Sequence, residues 1–328
     1  MYKTLLIGLG QIGMGYDFNL SMEDYILSHA QAIKKHPSFK LICAIDPSII
    51  KRKTFENKFN VTALSSLKEL KSIDYFDVIV IAVPTRFHLK VFKDIVKRFS
   101  PKLILIEKPL SNSLKESNRI VELSKEVNIS LAVNYFRAFD PFHQKLLKKI
   151  KNNELGFPLK ILCWYCKGII NNGSHFIQLF SNFLGNVRSS NIIKYRDSVL
   201  HNDFEPTAII NYEKGEVIFI PVEEKNYSLF EMEIIGNKGK IKYYNSGSSY
   251  ECWEVVDDSI FKGNLKLSSK SKVFKTNMNK YQYNVYDNID QFLQKRSTLF
   301  CSGEDALEVS KVIDNLSMNE EKRKSDEK

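Results

Sequence analysis

Five short, uninterrupted apolar runs recur through the first part of the chain. They are residues 3–8, 40–45, 78–83, 102–106 and 129–133. Runs of this length are typical of strands that are buried on both faces of a sheet. The segments between them have the apolar spacing of helices, at 28–36, 48–58, 87–98 and 113–126. Strands and helices that alternate in this way predict an α/β domain with a parallel sheet over residues 1–134.

After residue 134 the pattern indicates a different architecture. A helix is expected at 141–152 and another from Ser174 to Leu184, and strand-like segments separated by glycine or asparagine turns fill most of the region up to residue 256. This pattern favours an α+β domain over residues 135–318. Its core would be a large, mainly antiparallel open sheet with helices on one face.

Two closing helices are predicted near 282–295 and 304–316, and we expect them to pack back on the first domain. Ser302 precedes the second of them and is a suitable N-terminus. Residues 319–328 mix both signs of charge and are predicted to be a disordered tail.

Composition excludes several classes of function. No run of 18 apolar residues occurs, so we expect no membrane span, and the N-terminal apolar stretch is too short for a signal peptide. Five scattered cysteines suit a reducing cytoplasm, and the pair Cys163 and Cys166 lies on a predicted strand without the partners of a zinc site. The histidines show no metal-ligand spacing either, so no metal is predicted. The net charge of +10 is spread along the chain, which favours an anionic small substrate over nucleic acid.

The first strand runs directly into the segment GLGQIG, in which Gly8, Gly10 and Gly13 have the spacing of a dinucleotide-binding loop. Asp46 follows the second strand and could bind both ribose hydroxyls of NAD, which makes NADP the less favoured cofactor. Asp46 lies 33 residues after Gly13, whereas about 20 is usual. We therefore interpret residues 14–27 as an inserted loop before a helix that begins near Ser28.

Together these motifs resemble the glucose–fructose oxidoreductase, inositol dehydrogenase and rhizopine-catabolism family (Gfo/Idh/MocA) over nearly the whole chain. The segments that carry the resemblance are GLGQIG (8–13), AIDPS (44–48), AVPTRFH (82–88), EKPLS (107–111), NYFRAFDP (134–141), NNGSH (171–175) and CSGEDAL (301–307). The resemblance implies a Rossmann domain, an α+β domain with an open sheet, and hydride transfer between NAD or NADP and a secondary alcohol of a sugar, cyclitol or nucleotide sugar. It also implies a homodimer or homotetramer, because an exposed apolar sheet face must be covered.

The resemblance also assigns roles to residues. Lys108 would lie beside the nicotinamide and the substrate, and His175 would be the catalytic acid or base. The residues expected to bind the cofactor are Gly8, Gly10, Gln11, Ile12, Gly13, Asp46, Val83, Pro84, Thr85, His88, Glu107, Lys108 and Asn134. The residues expected to bind the substrate are Lys108, Arg137, Tyr165, Asn171, Asn172 and His175.

The chain departs from the family pattern at Asn171 and Gln178, where many members carry acids. Oxidation of an alcohol needs a base within reach of the hydroxyl, and an aspartate near His175 would stabilise its cation. Asparagine at this position resembles members that act on nucleotide sugars, so a nucleotide-linked or phosphorylated sugar is the expected substrate. The alternatives are a cofactor-binding, sugar-responsive regulator without turnover, and an enzyme that uses nicotinamide transiently. A simpler interpretation of NNGSH is a helix N-terminus capped by Asn172 or Ser174.

Overall fold

The computed structural model describes residues 1–70, 75–196, 198, 203–225 and 227–326, with side chains to residue 318. The chain forms two compact units. The first comprises Met1–Phe139 and Asn279–Ser310, and the second comprises Asp140–Met278 together with the residues from Lys311 onward.

The apolar runs of the first unit form a parallel sheet, as predicted. Its strands are β1 (Tyr2–Ile7), β2 (Phe39–Ile45), β3 (Ala63–Leu64), β4 (Val78–Ile81), β5 (Leu103–Ile106) and β6 (Ser130–Val133). They lie in the order β3-β2-β1-β4-β5-β6, and every neighbouring pair is parallel. Every residue of β4 and β5 is buried, which explains their unbroken apolar sequences. The strand order reverses between β1 and β4, and open α/β sheets bind ligands at such a point.

Eight α-helices accompany the strands in the described part of the chain. They are α1 (His29–Lys35), α2 (Ile49–Phe59), α3 (His88–Val96), α4 (Leu114–Glu126), α5 (Pro141–Lys151), α6 (Ser174–Leu184), α7 (Tyr281–Leu293) and α8 (Gly303–Asp326). Side-chain oxygens fix several of their starts. The Ser113 hydroxyl accepts the N–H of Glu116 at 3.3 Å, and the Asp140 carboxylate accepts that of Phe142 at 2.8 Å.

The second unit is built on a nine-stranded mixed sheet, which agrees with the predicted α+β domain. Its strands are β7 (Leu159–Tyr165), β8 (Val187–Lys194), β9 (Thr207–Tyr212), β10 (Gly215–Pro221), β11 (Glu231–Gly236), β12 (Gly239–Tyr244), β13 (Ser249–Asp257), β14 (Leu265–Leu267) and β15 (Lys272–Lys275). The order is β14-β13-β12-β11-β7-β10-β9-β8, β15 pairs with β13, and only β7 and β10 run parallel among these described pairs.

One face of this sheet forms the core of the second unit. Side chains alternate between buried and partly exposed along β9 and β11, as a sheet covered on one face requires. Phe180 of α6 packs edge-on against Tyr212 and Phe219 on the buried face. The opposite face carries partly exposed apolar side chains such as Trp164 and Ile218. The homodimer or homotetramer expected from such a face stays a prediction.

The C-terminal tail differs from its prediction. Helix α8 extends to Asp326, so the expected disordered tail at 319–328 is wrong as far as that residue, and the last two residues lie outside the described part. The segment NEEKRKSD contains mostly good helix formers, and mixed charge signs are compatible with a solvated helix as well as with disorder. No helix within the described residues is long and apolar enough to cross a membrane.

The start of α8 supplies a test of the fold. Ser302 accepts the N–H of Asp305 at 3.2 Å, and the Asp305 carboxylate accepts the N–H of Ser302 at 2.7 Å, which forms a reciprocal capping box. We expect Ser302→Ala to lower the free energy of unfolding by about 1 kcal/mol in urea denaturation. Ser317→Ala, inside the same helix, is the control and should be neutral or slightly stabilising. Equal stability of Ser302→Ala and wild type would contradict the cap.

Candidate active site

The glycine loop is shaped by close backbone contacts at the end of β1. Gly8 has φ +103°, and a Cβ there would lie 2.3 Å from the carbonyl oxygen of Ala82. A Cβ on Gly13 would lie 2.2 Å from the carbonyl oxygen of Gly8, whereas nothing lies within 4 Å of one on Gly10. The first and third glycines therefore permit packing, and Gly10 leaves its backbone open to a ligand.

The chain after the loop does not enter a long helix. Residues Gln11–Gly15 form one π-helical turn, and α1 begins only at His29. Between them the buried Asp17 carboxylate accepts the N–H groups of Leu27 at 2.6 Å and Ser28 at 2.9 Å. The predicted insertion is therefore present, and Asp17 holds it closed just before the helix.

Asp46 is buried at the end of β2 with its carboxylate at the glycine loop. One oxygen accepts the N–H of Leu9 at 2.8 Å and the other accepts that of Ser48 at 2.9 Å. Lys51 lies 3.9 Å from this carboxylate. Arg52 donates to the carbonyl oxygen of Asp46 at 2.8 Å, so its guanidinium is engaged with the backbone.

These elements border a cavity of about 740 Å³ at the point where the strand order reverses. Seven residues predicted to bind the cofactor line it, namely Gly8, Gly10, Gln11, Ile12, Asp46, Val83 and Pro84. The volume lies in the range of small-molecule and cofactor sites. The open backbone at Gly10 and the carboxylate of Asp46 fit the pyrophosphate and ribose of a dinucleotide.

The other predicted cofactor residues lie outside this lining. Gly13 packs beneath the loop, and Thr85 begins a 3₁₀ turn. His88 differs from its prediction, because its side chain is fully buried and its ring nitrogens lie 3.0 Å from the Val83 carbonyl and 3.2 Å from that of Leu110. Burial lowers the pKa of His88, while the hydrogen bonds to the two carbonyl oxygens oppose this effect. His88 therefore fixes the Val83 loop instead of lining the cavity.

Glu107, Lys108 and Asn134 lie at the carboxyl ends of β5 and β6. The Asn134 amide donates to the Glu107 carboxylate at 2.5 Å, and the His29 ring contacts the same oxygen at 2.8 Å. Arg137 lies in a 3₁₀ turn nearby in the sequence, with its guanidinium 5.3 Å from the centre of the Phe136 ring.

In the second unit, the NNGSH segment forms a π-helical turn that leads into α6. The turn comprises Gly168–Gly173. The Asp203 carboxylate accepts the N–H groups of Ile170 and Asn171, each at 3.0 Å. Gly168 has φ +79°, and a Cβ there would lie 1.9 Å from this carboxylate, so only glycine permits the contact.

The predicted cap at Asn172 or Ser174 is therefore wrong. No side chain caps the helix locally, and the Ser174 hydroxyl donates back to the Asn171 carbonyl at 3.3 Å. The π-helical turn continues directly into α6. The N–H groups at the start of this turn therefore need an acceptor from elsewhere in the chain. Sequence reasoning missed Asp203, because its link to the turn spans more than thirty residues and leaves no local signal.

Glu205 supports the same turn. It accepts the N–H of Gly168 at 3.0 Å and forms an ion pair with Arg196. Burial raises the pKa of Asp203 and Glu205 adds to this effect, while hydrogen bonds from three backbone N–H groups oppose it.

His175 is buried as the second residue of α6. Its ring meets that of Phe230 edge-on at 6.4 Å, and Phe230 stacks on Phe176 at 3.9 Å. Gln178, one turn later, is 1% exposed, and neither of its amide atoms has a hydrogen-bond partner among the described residues.

Tyr165 differs from its predicted role. It is fully buried in β7 and donates its hydroxyl to the Pro206 carbonyl at 2.8 Å, and burial raises its pKa strongly. It is a core residue of the sheet. Cys163 and Cys166 are free, buried thiols, and no metal-binding cluster occurs among the described residues.

Comparison with known proteins identifies the N-terminal half. Residues 3–135 match the family model GFO_IDH_MocA, described as "Oxidoreductase family, NAD-binding Rossmann fold". An inositol 2-dehydrogenase of Corynebacterium glutamicum (strain R) is 31% identical over 160 residues, which are 48% of this chain and 44% of that protein. The aligned part of the chain spans less than half the length of the curated relatives that it matches.

Solved structures match the fold over nearly the whole chain. A putative NADPH-dependent oxidoreductase from Desulfitobacterium hafniense superposes with a TM-score of 0.78 at 16% identity, covering 98% of this chain and 96% of that one. The WlbA dehydrogenase from Bordetella pertussis, solved with NADH and UDP-GlcNAcA, gives 0.71 at 15% identity, covering 97% and 96%. Residues 3–135 are thus similar to the NAD-binding domain of the Gfo/Idh/MocA oxidoreductases, and both predicted fold classes are confirmed.

The raised pKa of Asp203 predicts a pH-dependent stability. Because the folded protein holds this proton more tightly than the unfolded chain, wild type should lose stability relative to Asp203→Asn as the pH rises from about 4 through the folded pKa. The loss should be complete above the folded pKa. Urea denaturation between pH 4 and 7 measures it.

Asp258→Asn is the matched control. Asp258 also accepts two consecutive backbone N–H groups, those of Ile260 and Phe261, but it lies on the surface and these bonds lower its pKa. Its difference from wild type should therefore stay nearly constant between pH 4 and 7 and should change only below about pH 4, because its folded pKa lies below the unfolded value. Parallel slopes for the two variants would contradict the burial of Asp203.

Proposed function

We propose that this protein is a nicotinamide-dependent dehydrogenase that transfers a hydride between the cofactor and a secondary alcohol of a sugar. The observation that carries the proposal is the cavity at the β1/β4 crevice, which combines an open glycine backbone with Asp46. Its location in a domain of an NAD-binding oxidoreductase family supports the same reaction class.

Charge and the relatives support the proposed substrate class. A curated relative is named an inositol dehydrogenase, and a structure with the same fold was solved with a nucleotide sugar. Both ligands are polyols with ring hydroxyls. The net charge of +10 favours a phosphorylated or nucleotide-linked sugar.

Each chemical role needs a particular side chain. The nicotinamide accepts or returns a hydride when it is bound. The substrate hydroxyl must also lose a proton, and the imidazole of His175 suits that transfer near neutral pH. The ammonium of Lys108 would donate a hydrogen bond to the same hydroxyl and hold it.

Removing either group should abolish turnover without abolishing cofactor binding. We expect Lys108→Met and His175→Asn to lower kcat by about 10²–10⁴-fold, because each removes a group that acts on the reacting hydroxyl. Absorbance of reduced nicotinamide would be followed with a panel of inositols, sugar phosphates and UDP-sugars. Lys115→Met, an exposed lysine of α4, is the control and should behave as wild type.

The alternative function has a separate outcome in the same experiment. Gln178 and Asn171 replace acids that many family members carry, which favours a regulator without turnover. Tight NADH binding with no product from any panel member would support the regulator and contradict the dehydrogenase.

We further propose that NAD is preferred over NADP. The Asp46 carboxylate faces the cavity and would repel a 2′-phosphate, while Lys51 at 3.9 Å is balanced by that carboxylate.

Asp46→Ser should therefore shift the ratio of NADH to NADPH affinity by at least about tenfold toward NADPH, since it removes the repulsion and releases Lys51. Fluorescence titration with each reduced cofactor measures the ratio. Asp94→Asn removes another carboxylate of the cavity lining and should leave the ratio unchanged. A preference for NADPH in the wild type would disprove the assignment.

A further inference from the structure

Four buried or nearly buried polar side chains form a closed ring of hydrogen bonds in the first unit. Glu107 Oε1 lies 2.8 Å from His29 Nε2, and His29 Nδ1 lies 2.9 Å from Gln282 Nε2. Gln282 Oε1 accepts from Asn134 Nδ2 at 3.1 Å, and the same Asn134 nitrogen donates to Glu107 Oε1 at 2.5 Å. The side chain of Glu107 is 12% exposed and the other three are fully buried.

The ring determines the direction of each hydrogen bond. A carboxylate and an amide oxygen accept only, so Asn134 must donate to both Glu107 and Gln282. The Gln282 oxygen is thereby engaged, and its nitrogen donates to His29 Nδ1. His29 then carries its proton on Nε2 and donates it to Glu107. Each bond of the ring therefore pairs one donor with one acceptor and restrains the orientation of all four side chains, although Asn134 Oδ1 has no hydrogen-bond partner among the described residues.

The ring joins four separate segments of the chain. His29 begins α1, directly after the insertion closed by Asp17, and Gln282 lies on α7. Glu107 and Asn134 follow β5 and β6. The hydroxyl of Tyr286, also on α7, lies 2.9 Å from His29 Nδ1 outside the ring.

The backbone at Glu107 is held from the other side by the sheet. Its N–H donates to the Ile81 carbonyl at 3.0 Å, and the N–H of Asn134 donates to the Ile106 carbonyl at 2.8 Å. Glu107 is thus fixed at both its main chain and its side chain. Lys108 is the next residue.

We infer that His29 and Gln282 are positioning residues for Lys108. They act through Glu107, whose carboxylate the ring holds in one orientation. The inference rests on the proposed role of Lys108, because the ring fixes the residue before the lysine and not the substrate. A catalytic group that is loosely held loses rate, since a small displacement weakens contacts made only in the transition state.

Gln282→Met tests the ring directly. Methionine has a similar shape but offers no amide, so both bonds of Gln282 are lost while His29 and Asn134 still reach Glu107. We expect kcat to fall at least tenfold, with the KM for the cofactor and the Kd of NADH within twofold of wild type. The same substitution at Gln291 on α7, which contacts Asp287 outside the ring, is the matched control and should change neither constant.

A pair of variants at His29 separates positioning from general destabilisation. His29→Gln keeps one donor and one acceptor and should retain kcat within about threefold, whereas His29→Leu keeps neither and should behave as Gln282→Met. Melting temperatures of all variants are measured in parallel. The inference would be overturned if kcat across the variants correlated with melting temperature and not with whether the substituted side chain can still form the hydrogen bonds of the ring.

Hydrogen exchange makes the test independent of turnover. Amide exchange of a peptide covering residues 105–111 should accelerate at least tenfold in Gln282→Met and His29→Leu, and should be unchanged in Gln291→Met. Unchanged exchange in the first two variants overturns the positioning role, whatever happens to turnover. Absence of turnover in wild type, with accelerated exchange in these variants, would instead refute the proposed function and leave the ring as the anchor of this segment.

Discussion

The close approach of two backbones at the ends of β1 and β4 is the constraint on which the first unit depends. The N–H of Gly8 donates to the Ile45 carbonyl at 2.8 Å, and that of Ala82 donates to the Ile7 carbonyl at 2.7 Å. Because these bonds fix the strand ends, the chain must turn away within one residue, at Gly8. Only glycine fits the space beside Ala82 and readily adopts the positive φ of this turn. The crevice, the position of Asp46 and the open backbone at Gly10 all follow from that turn.

The two motifs with the strongest functional signal share a second structural feature, a π-helical turn. Both contain part of a π-helical turn: GLGQIG runs into the turn Gln11–Gly15, and NNGSH lies on the turn Gly168–Gly173 that leads into α6. Single π-helical turns are rare and occur frequently at functional sites. In each case a carboxylate further along the chain anchors the region. Asp17 closes the loop after the first turn, and Asp203 binds the second turn directly.

The sequence predicted the regular elements well and the long-range polar contacts poorly. The runs that became β4 and β5 were found because continuous burial imposes an unbroken apolar pattern. The strands β14 and β15 were missed because their exposed residues carry no such pattern. Ser302 was predicted as a helix start from its residue type, and its hydroxyl indeed accepts the N–H of Asp305, only three residues away. Tyr165 was misassigned because an aromatic residue near a motif can equally be core, and only burial distinguishes the two.

Asp203 also supplies a physical reason for the unusual residue at position 171. The N–H of Asn171 already binds a carboxylate whose pKa burial raises, with Glu205 adding to the effect. An aspartate side chain on residue 171 would bring another negative charge to the same partly buried turn, and like charges there oppose each other. Asparagine keeps hydrogen-bonding capacity without that charge.

The same reasoning extends to Gln178, because an unpaired carboxylate at such a buried position would be costlier than an amide. On the proposed function, the positive charge that His175 gains would then lack an acid from its own helix. An anionic substrate would supply compensating charge, which agrees with the proposed phosphorylated or nucleotide-linked sugar.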